Sequence, residues 1–142
     1  TYPASAEAII LAGGIPVLVD VELDSMNMSA RILEEVYNEK MEVFEPISWA
    51  GVPLASSVYA KAKELNLVVV EDAACSLGAK IESDFVGNIA DFSCFSFHPR
   101  KLICAGEGGA ISTNNKNWKE KTNTAFHRVD SLKRTPIGVL CV

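Results

Sequence analysis

The sequence has few of the residues that metal centres and disulfide frameworks require. It contains 4 cysteines and 2 histidines among 142 residues. The cysteines, at positions 75, 94, 104 and 141, show no C-x-x-C spacing. This pattern predicts reduced core thiols rather than a disulfide set or a zinc site. Histidines this few and this scattered argue against a His-rich metal centre, so we expect no metal.

Positive charge and long apolar runs are also scarce. The chain has 13 Lys and Arg against 18 Asp and Glu, a net charge of -5, and shows no basic stripe with interleaved aromatics. This argues against a nucleic-acid partner. No apolar run approaches the roughly 20 residues that a membrane-spanning helix needs. The start, Thr1-Tyr2-Pro3, lacks the charged and apolar regions of a signal peptide, so we expect a cytoplasmic protein with no membrane partner.

What the sequence does contain is an alternation of helical and strand patterns. Helices are predicted at 4–13, 29–38, 54–65 and 114–128. Strands are predicted at 15–21, 41–47, 67–70, 91–97 and 109–113, with a loop or small hairpin at 80–89. The alternation is typical of an α/β fold, here a mostly parallel sheet with helices on both faces. The length of 142 residues fits a single domain over 1–142.

A lysine follows the predicted strand at 91–97. His98-Pro99 ends that strand, and Lys101 comes next, flanked by apolar Leu102 and Ile103. Apolar surroundings disfavour the charged form of an amine, and a neutral amine can form a Schiff base. The alternative is a lysine that buries its stem and keeps its charged end in water.

Two carboxylates follow another predicted strand, at 67–70. Glu71 and Asp72 stand at its end, before a turn of small residues. Ligands of open α/β sheets bind beyond the carboxyl ends of the strands. An acid and a lysine from different strands can therefore face one pocket.

Together the two stretches resemble the pyridoxal-phosphate (PLP) sugar aminotransferases of the DegT/DnrJ/StrS type, which have the type-I fold. The matching motifs are Glu71-Asp72-Ala73-Ala74, Gly78-Ala79, Phe95-Ser96-Phe97-His98-Pro99-x-Lys101, and Gly106-Glu107-Gly108-Gly109 with Thr113-Asn114. A series of separate matches in the right order over about forty residues is a specific signal.

The resemblance implies a role for each matching position. Lys101 occupies the Schiff-base position and would shuttle the proton during transfer. Asp72 would pair with the pyridine nitrogen. Ser96 would meet the cofactor phosphate, or be a buried hydroxyl that the backbone satisfies. Tyr2 falls where an aromatic covers the cofactor ring, and Ser5 points at the same pocket or is an ordinary serine of a helix N-terminus.

Further positions shape the predicted site. His98 would orient the lysine loop, or be a structural histidine, and Glu107 would help to form a tight glycine-rich turn near the pocket. Trp49 lies in a segment that lines the substrate side in the family, or it is a core aromatic. Cys75 departs from the family, which usually has Gln or His there, directed toward the ring oxygen. A thiol is a poorer hydrogen-bonding group, which puts cofactor tuning in doubt.

The function implied is transfer of an amino group from an amino acid such as glutamate to a nucleotide-linked keto-sugar. Some members of the family are dehydratases with histidine in place of the lysine, and Lys101 argues against that branch. The alternative is a truncated, catalytically silent domain that only folds or associates.

The resemblance covers only the middle of the family's PLP-binding large domain. It implies another strand and helix before Thr1, where part of the phosphate cradle lies, and a small domain after residue 142. We therefore expect a partial large domain over 1–142 that forms a homodimer or larger assembly. We also expect that the chain alone is isolated without cofactor and has no measurable transaminase activity.

Overall fold

A five-stranded sheet forms the centre of the molecule. The structure is a computed structural model that describes residues 2–122 and 139–140. The sheet order is β1-β2-β5-β6-β7, with β1 Val43–Phe44, β2 Val68–Asp72, β5 Phe92–Ser96, β6 Gly109–Ser112 and β7 Val139–Leu140. The strands β1, β2 and β5 are parallel, whereas β6 is antiparallel to β5 and parallel to β7. The predicted α/β fold with a mostly parallel sheet is confirmed.

Helices and a hairpin connect these strands. The helices are α1 Pro3–Leu11, α2 Ala30–Val36, α3 Ser56–Glu64 and α4, which the structure describes over 116–122. The hairpin pairs β3 Lys80–Ile81 with β4 Asp84–Phe85. The Ser29 hydroxyl caps α2 by accepting from the Ile32 N–H at 3.3 Å, as the sequence predicts. Of the helix predicted at 114–128, residues 114 and 115 are not helical, and residues 123–128 lie outside the described residues.

The core lies on one face of β2. Burial alternates along this strand, and Val69 and Glu71 point into the interior, as the two-residue period of a strand requires. We call their side of the sheet the core face. It packs against residues of α2 and α3, among them Leu33, Val58, Tyr59 and Ala62. We call the opposite side, which carries the half-buried Val68, Val70 and Asp72, the site face.

Two strand predictions differ from the structure. Residues 15–21 are not a strand, because no described residue forms ladder hydrogen bonds with them. Their apolar side chains are exposed instead, Ile15 by 90% and Leu18 by 83%. The strand predicted at 41–47 is limited to β1 and a single bridge from Ile47 to Asp72. Pro46 explains the interruption, because proline has no N–H to donate to a ladder.

The prediction of core thiols is wrong for two cysteines. Cys75 and Cys104 are exposed, and Cys94 is half-buried in β5. The two exposed cysteines lie in a turn and a loop, outside the strands of the sheet. All three are free thiols, and Cys141 lies outside the described residues. Among the described helices, none combines the length and the apolar character that a membrane span needs.

Candidate active site

Two neighbouring parallel strands end at the same edge of the sheet. Asp72 is the last residue of β2, and Ser96 is the last residue of β5. The register pairs Asp72 with Cys94, so Ser96 lies two residues beyond that pair. Lys101 follows five residues after Ser96. The acid and the lysine singled out from the sequence therefore lie at one edge, where α/β sheets bind ligands.

The loop that carries Lys101 is closed at its base. The Phe97 N–H donates to the Gly108 carbonyl at 2.9 Å, and the Ala105 N–H donates to the Phe97 carbonyl at 3.0 Å. A tight turn places the lysine, because the Lys101 N–H donates to the His98 carbonyl at 2.8 Å. We call residues 97–108 the lysine loop. Its ends are held to each other by backbone bonds, which limits where the lysine can lie.

The Lys101 side chain reaches across to the turn after β2. Its Nζ donates to Cys75 Sγ at 3.1 Å. Cys75 belongs to a turn closed by the Ser76 N–H, which donates to the Ala73 carbonyl at 3.0 Å. This contact brings the amine to a segment that begins three residues after Asp72. The amine therefore lies against the turn that follows Asp72.

Asp72 is oriented from two sides. Its Oδ1 accepts from the Ala74 N–H at 3.1 Å, and its Oδ2 accepts from the Ser5 hydroxyl at 3.0 Å. Its own N–H donates to the Pro46 carbonyl at 2.8 Å. A carboxylate has about four lone-pair sites, so each oxygen can accept a further bond. The group is fixed in position and still able to bind a donor.

Glu45 is a residue of this region that sequence reasoning missed. Burial raises the pKa of its carboxyl, the Asp72 charge adds to the rise, and the Ser5 hydroxyl opposes both. Burial also raises the pKa of the Cys94 thiol to about 11, with the charges of Asp72, Glu45 and Glu71 adding to it. The parallel register of β1 and β2 places Glu45 on the same face as Asp72. An acid within the strand predicted at 41–47 was the available signal, although Glu42 gives the same signal.

Glu71 has no role in the sequence-based site, and the structure gives it a different place. It is 1% exposed on the core face, where three hydroxyls donate to it. Ser48 and Tyr59 donate to Oε1 at 2.7 and 2.9 Å, and Ser93 donates to Oε2 at 3.0 Å. Burial, followed by the Glu71 charge, raises the pKa of the Tyr59 phenol. Glu71 joins β2 to β5, to α3 and to the segment after β1.

The turn that carries Lys101 also engages Ser96 and His98. The Ser96 hydroxyl accepts from the His98 N–H at 3.3 Å, and the His98 ring nitrogen Nδ1 accepts from the Arg100 N–H at 3.3 Å. A hydroxyl that accepts one bond keeps its own proton to donate. Glu107 is exposed on the lysine loop. The roles assigned to these residues remain predictions.

Two aromatic residues predicted for the site are on the surface. Trp49 is 40% exposed, not in the core, at the start of the short 3-10 turn Trp49–Gly51. A Cβ on Gly51 would lie 2.7 Å from the Cys75 carbonyl oxygen, so this turn lies directly against the turn after Asp72. Tyr2 is 71% exposed and precedes α1, the helix that carries Ser5. Their contact with cofactor or substrate stays a prediction.

The side chains at this edge suit a PLP group. PLP needs an amine for its aldehyde carbon, a carboxylate for its ring nitrogen and donors for its phosphate. Lys101, Asp72 and Ser96 supply one group of each kind. Within residues 2–122 and 139–140 no cluster of His, Cys, Asp or Glu could hold a metal ion. The site therefore has the side chains of a PLP-binding transferase of the α/β class.

Comparison with known proteins identifies the family. The model of the DegT/DnrJ/EryC1/StrS aminotransferase family matches residues 1–134, and the chain belongs to this family. The UDP-2-acetamido-2-deoxy-3-oxo-D-glucuronate aminotransferase of Pseudomonas aeruginosa is 36% identical over 80% of this chain and 32% of its own length. The resemblance inferred from the motifs is confirmed.

Solved structures agree with the sequence relatives. Helicobacter pylori PseC, an aminotransferase of pseudaminic acid biosynthesis, has a TM-score of 0.82 at 30% identity, covering 87% of this chain and 33% of its own. The PLP form of a proposed sugar aminotransferase, Spr1654 from Streptococcus pneumoniae, has a TM-score of 0.68 at 32% identity, covering 77% and 32%. The chain thus spans about a third of the length of the proteins it matches.

Proposed function

We propose that the chain forms part of a PLP-binding large domain, in a protein that transfers an amino group from an amino acid to a nucleotide-linked keto-sugar. The 3.1 Å contact of Lys101 with Cys75 is the observation that carries the proposal, because it brings the amine to the turn that follows β2 and Asp72. Membership of the family supports the reaction class. The substrate class is supported by a relative that is named for a 3-oxo sugar linked to UDP.

Each residue of the chain has a defined task in this proposal. PLP, when bound, supplies an electron sink for a carbon that loses its proton. Lys101 holds the aldehyde carbon through Nζ and afterwards carries a proton at that atom. Asp72 accepts a bond from the protonated ring nitrogen, and the Ala74 N–H and the Ser5 hydroxyl keep its carboxylate in place. The Ser96 hydroxyl donates its proton to the phosphate.

Association and location are proposed on separate observations. The exposed apolar side chains of Ile15, Leu18 and Leu23 suit a contact with a second copy, so we propose a homodimer or larger assembly. Light scattering on the purified chain tests this, and a monomer contradicts it.

The free thiols of the described cysteines fit a reducing compartment, and we propose a cytoplasmic location on that ground.

The proposed site is tested by covalent trapping at Lys101. The 142-residue chain is incubated with excess PLP, reduced with borohydride and mapped by mass spectrometry. We expect one phosphopyridoxyl group at Lys101, and none at that position in Lys101→Ala. The matched control is Lys116→Ala, which removes an exposed lysine of α4 and should leave the label at Lys101 unchanged.

The same experiment separates the aminotransferase from a silent domain of the same fold. Labelling spread over surface lysines, with no excess at Lys101, contradicts the proposed site. We expect cofactor to be retained only while it is in excess, so that the chain is purified without it and without measurable transaminase activity. A yellow purified sample contradicts that expectation.

A further inference from the structure

The contact between Lys101 and Cys75 joins two nucleophiles, and aminotransfer requires only one of them. The Lys101 amine donates to the Cys75 sulfur at 3.1 Å, and the Cys75 side chain is exposed. The thiol is therefore accessible to small solutes while it lies in contact with a primary amine. Such a pair has a chemistry of its own, which is independent of PLP.

Backbone contacts hold both partners of the pair. The lysine loop is closed at its base and turns tightly at His98 and Lys101. Cys75 is held by the turn that Ser76 closes on Ala73, and the Gly51 backbone lies so close to the Cys75 carbonyl oxygen that a Cβ would not fit between them. Two reacting groups held in contact behave as if they were at very high effective concentration.

We propose that Cys75 and Lys101 form an oxidation-sensitive pair in which hydrogen peroxide joins Sγ to Nζ. The Cys75 sulfur first attacks the peroxide, which gives sulfenic acid and one water. The Lys101 amine then attacks that sulfur, an S–N bond forms, and the hydroxyl of the sulfenic acid leaves with an amine proton as a second water. In sum, thiol, amine and one peroxide give a sulfenamide and two waters: sulfur is oxidised and peroxide is reduced.

The link is reversible by thiols. Two molecules of an external thiol reduce the S–N bond, restore the Cys75 thiol and the Lys101 amine, and leave as their own disulfide. Sulfenic acids are known to condense with thiols and with nitrogen nucleophiles, so the step uses the ordinary reactivity of an oxidised cysteine. If the proposed function holds, the link also removes the amine that PLP needs, and oxidation becomes a reversible block on the site.

The other described thiols provide the internal comparison. Cys104 is exposed in the lysine loop, but its sulfur accepts from the Gly106 N–H at 3.4 Å and has a backbone neighbour in place of an amine. Cys94 is half-buried, and burial raises the pKa of its thiol to about 11, which keeps the thiolate scarce at neutral pH. The competing product is a disulfide between Cys75 and Cys104.

Tryptic mapping distinguishes the two products. The folded chain, without PLP, is treated with one equivalent of hydrogen peroxide, then denatured, alkylated and digested. A sulfenamide prevents cleavage after Lys101, so we expect peptide 64–80 joined to peptide 101–116, lighter by two hydrogen atoms. A disulfide leaves Lys101 cleavable and joins peptide 64–80 to peptide 102–116. The first product is therefore heavier than the second by one lysine residue and by the alkyl group on its free Cys104.

Three comparisons decide the outcome. Cys104→Ser should keep the link, because that thiol takes no part in it. Lys101→Arg should lose the link and instead give a Cys75 sulfenic acid that dimedone traps. The unsubstituted chain that is treated with peroxide in urea should not form the link, because unfolding separates the pair before oxidation. A Cys75–Cys104 disulfide, or a dimedone adduct at Cys75 in the unsubstituted folded chain without the S–N link, overturns the proposal.

Discussion

The two faces of β2 carry adjacent carboxylates that have opposite surroundings. Glu71, on the core face, is 1% exposed and accepts from the hydroxyls of Ser48, Tyr59 and Ser93. Asp72, on the site face, is half-buried and accepts from one hydroxyl and one backbone N–H. One strand therefore supplies a closed polar anchor on one side and an accessible acid on the other.

The difference follows from the period of a strand. Successive side chains point to opposite faces, so neighbours in sequence enter different environments. On the core face the three donors to Glu71 among the described residues are hydroxyls, and removal of the carboxyl leaves these buried hydroxyls without that acceptor. On the site face Asp72 keeps lone pairs that a ligand can use, and the turn that follows it contacts Lys101. We therefore expect stability to depend on Glu71, and ligand binding to depend on Asp72.

The largest expected effect on stability is that of Glu71→Ala. Each buried polar group left without a partner costs about 1–3 kcal/mol, and three hydroxyls lose their acceptor. We expect the free energy of unfolding in urea to fall by about 3 kcal/mol or more. Glu71→Gln, which keeps one oxygen acceptor, should lose less and remain measurable if the alanine variant does not fold.

Glu42→Ala is the matched control for this substitution. Glu42 is exposed next to β1, and its removal should change the free energy of unfolding by about 0.5 kcal/mol at most. If Glu71→Ala costs no more than Glu42→Ala, the three hydroxyl bonds do not stabilise the fold, and the contrast between the two faces fails.

The next largest effect is expected at alkaline pH, under reducing conditions. Burial raises the pKa of the Cys94 thiol from 9.0 to about 11, so the unfolded chain loses this proton before the folded chain does. The stabilisation that comes from this difference in pKa is complete below pH 9 and is lost as the pH rises through 11, by about 3 kcal/mol in all. Tyr59 adds to the loss above pH 10, because its pKa is also raised.

Cysteine variants separate the two contributions to this alkaline loss. Cys94→Ala should remove the alkaline decrease in stability that comes from this thiol on the site face, and it should leave the decrease that comes from Tyr59. Cys104→Ala, which removes an exposed thiol, should keep the whole decrease. Urea unfolding between pH 8 and pH 11 gives the free energy of unfolding of all three chains as a function of pH. If it falls as steeply in Cys94→Ala as in the unsubstituted chain, the loss does not come from the Cys94 thiol.

How far the sequence predicts the structure depends on the range of the interactions. Local signals succeeded: Ser29 caps α2, and the pattern at 80–89 gives the hairpin. Strand predictions failed where a strand depends on a neighbouring strand or on a backbone N–H donor. Residues 15–21 pair with no described residue, and Pro46 has no N–H to donate. A strand needs a neighbour, and apolar alternation alone does not supply one.

The site shows the same division between local and distant information. Motif spacing predicts Lys101 and Asp72 at one edge, because parallel strands end together. It does not predict that the Lys101 amine contacts Cys75, since loop geometry sets that distance. Glu45 was missed because its proximity to Asp72 depends on the register between two strands. The Glu71 anchor combines hydroxyls from three separate segments, which no local pattern connects.

The smallest effect on stability is expected for Asp72→Asn, which is the counterpart of Glu71→Gln on the other face. The amide oxygen can still accept from the Ala74 N–H, so the free energy of unfolding should fall by about 1 kcal/mol or less. The affinity for PLP, in contrast to the stability, should fall strongly. A charge-assisted hydrogen bond contributes about 1.5–3 kcal/mol, so the affinity for added PLP should fall by about tenfold to a hundredfold.

Comparison of the two amide variants sharpens the contrast. Titration with PLP, followed by absorbance, gives the affinity, and urea unfolding of the same samples gives the stability. Glu71→Gln should lose stability and, at temperatures where it stays folded, bind PLP as the unsubstituted chain does, because its carboxyl points away from the site face. If Asp72→Asn binds PLP unchanged while Glu71→Gln loses affinity, the two adjacent acids have been assigned to the wrong faces. The distinction can be measured because each substitution replaces one oxygen by NH₂ and leaves the backbone of β2 as it is.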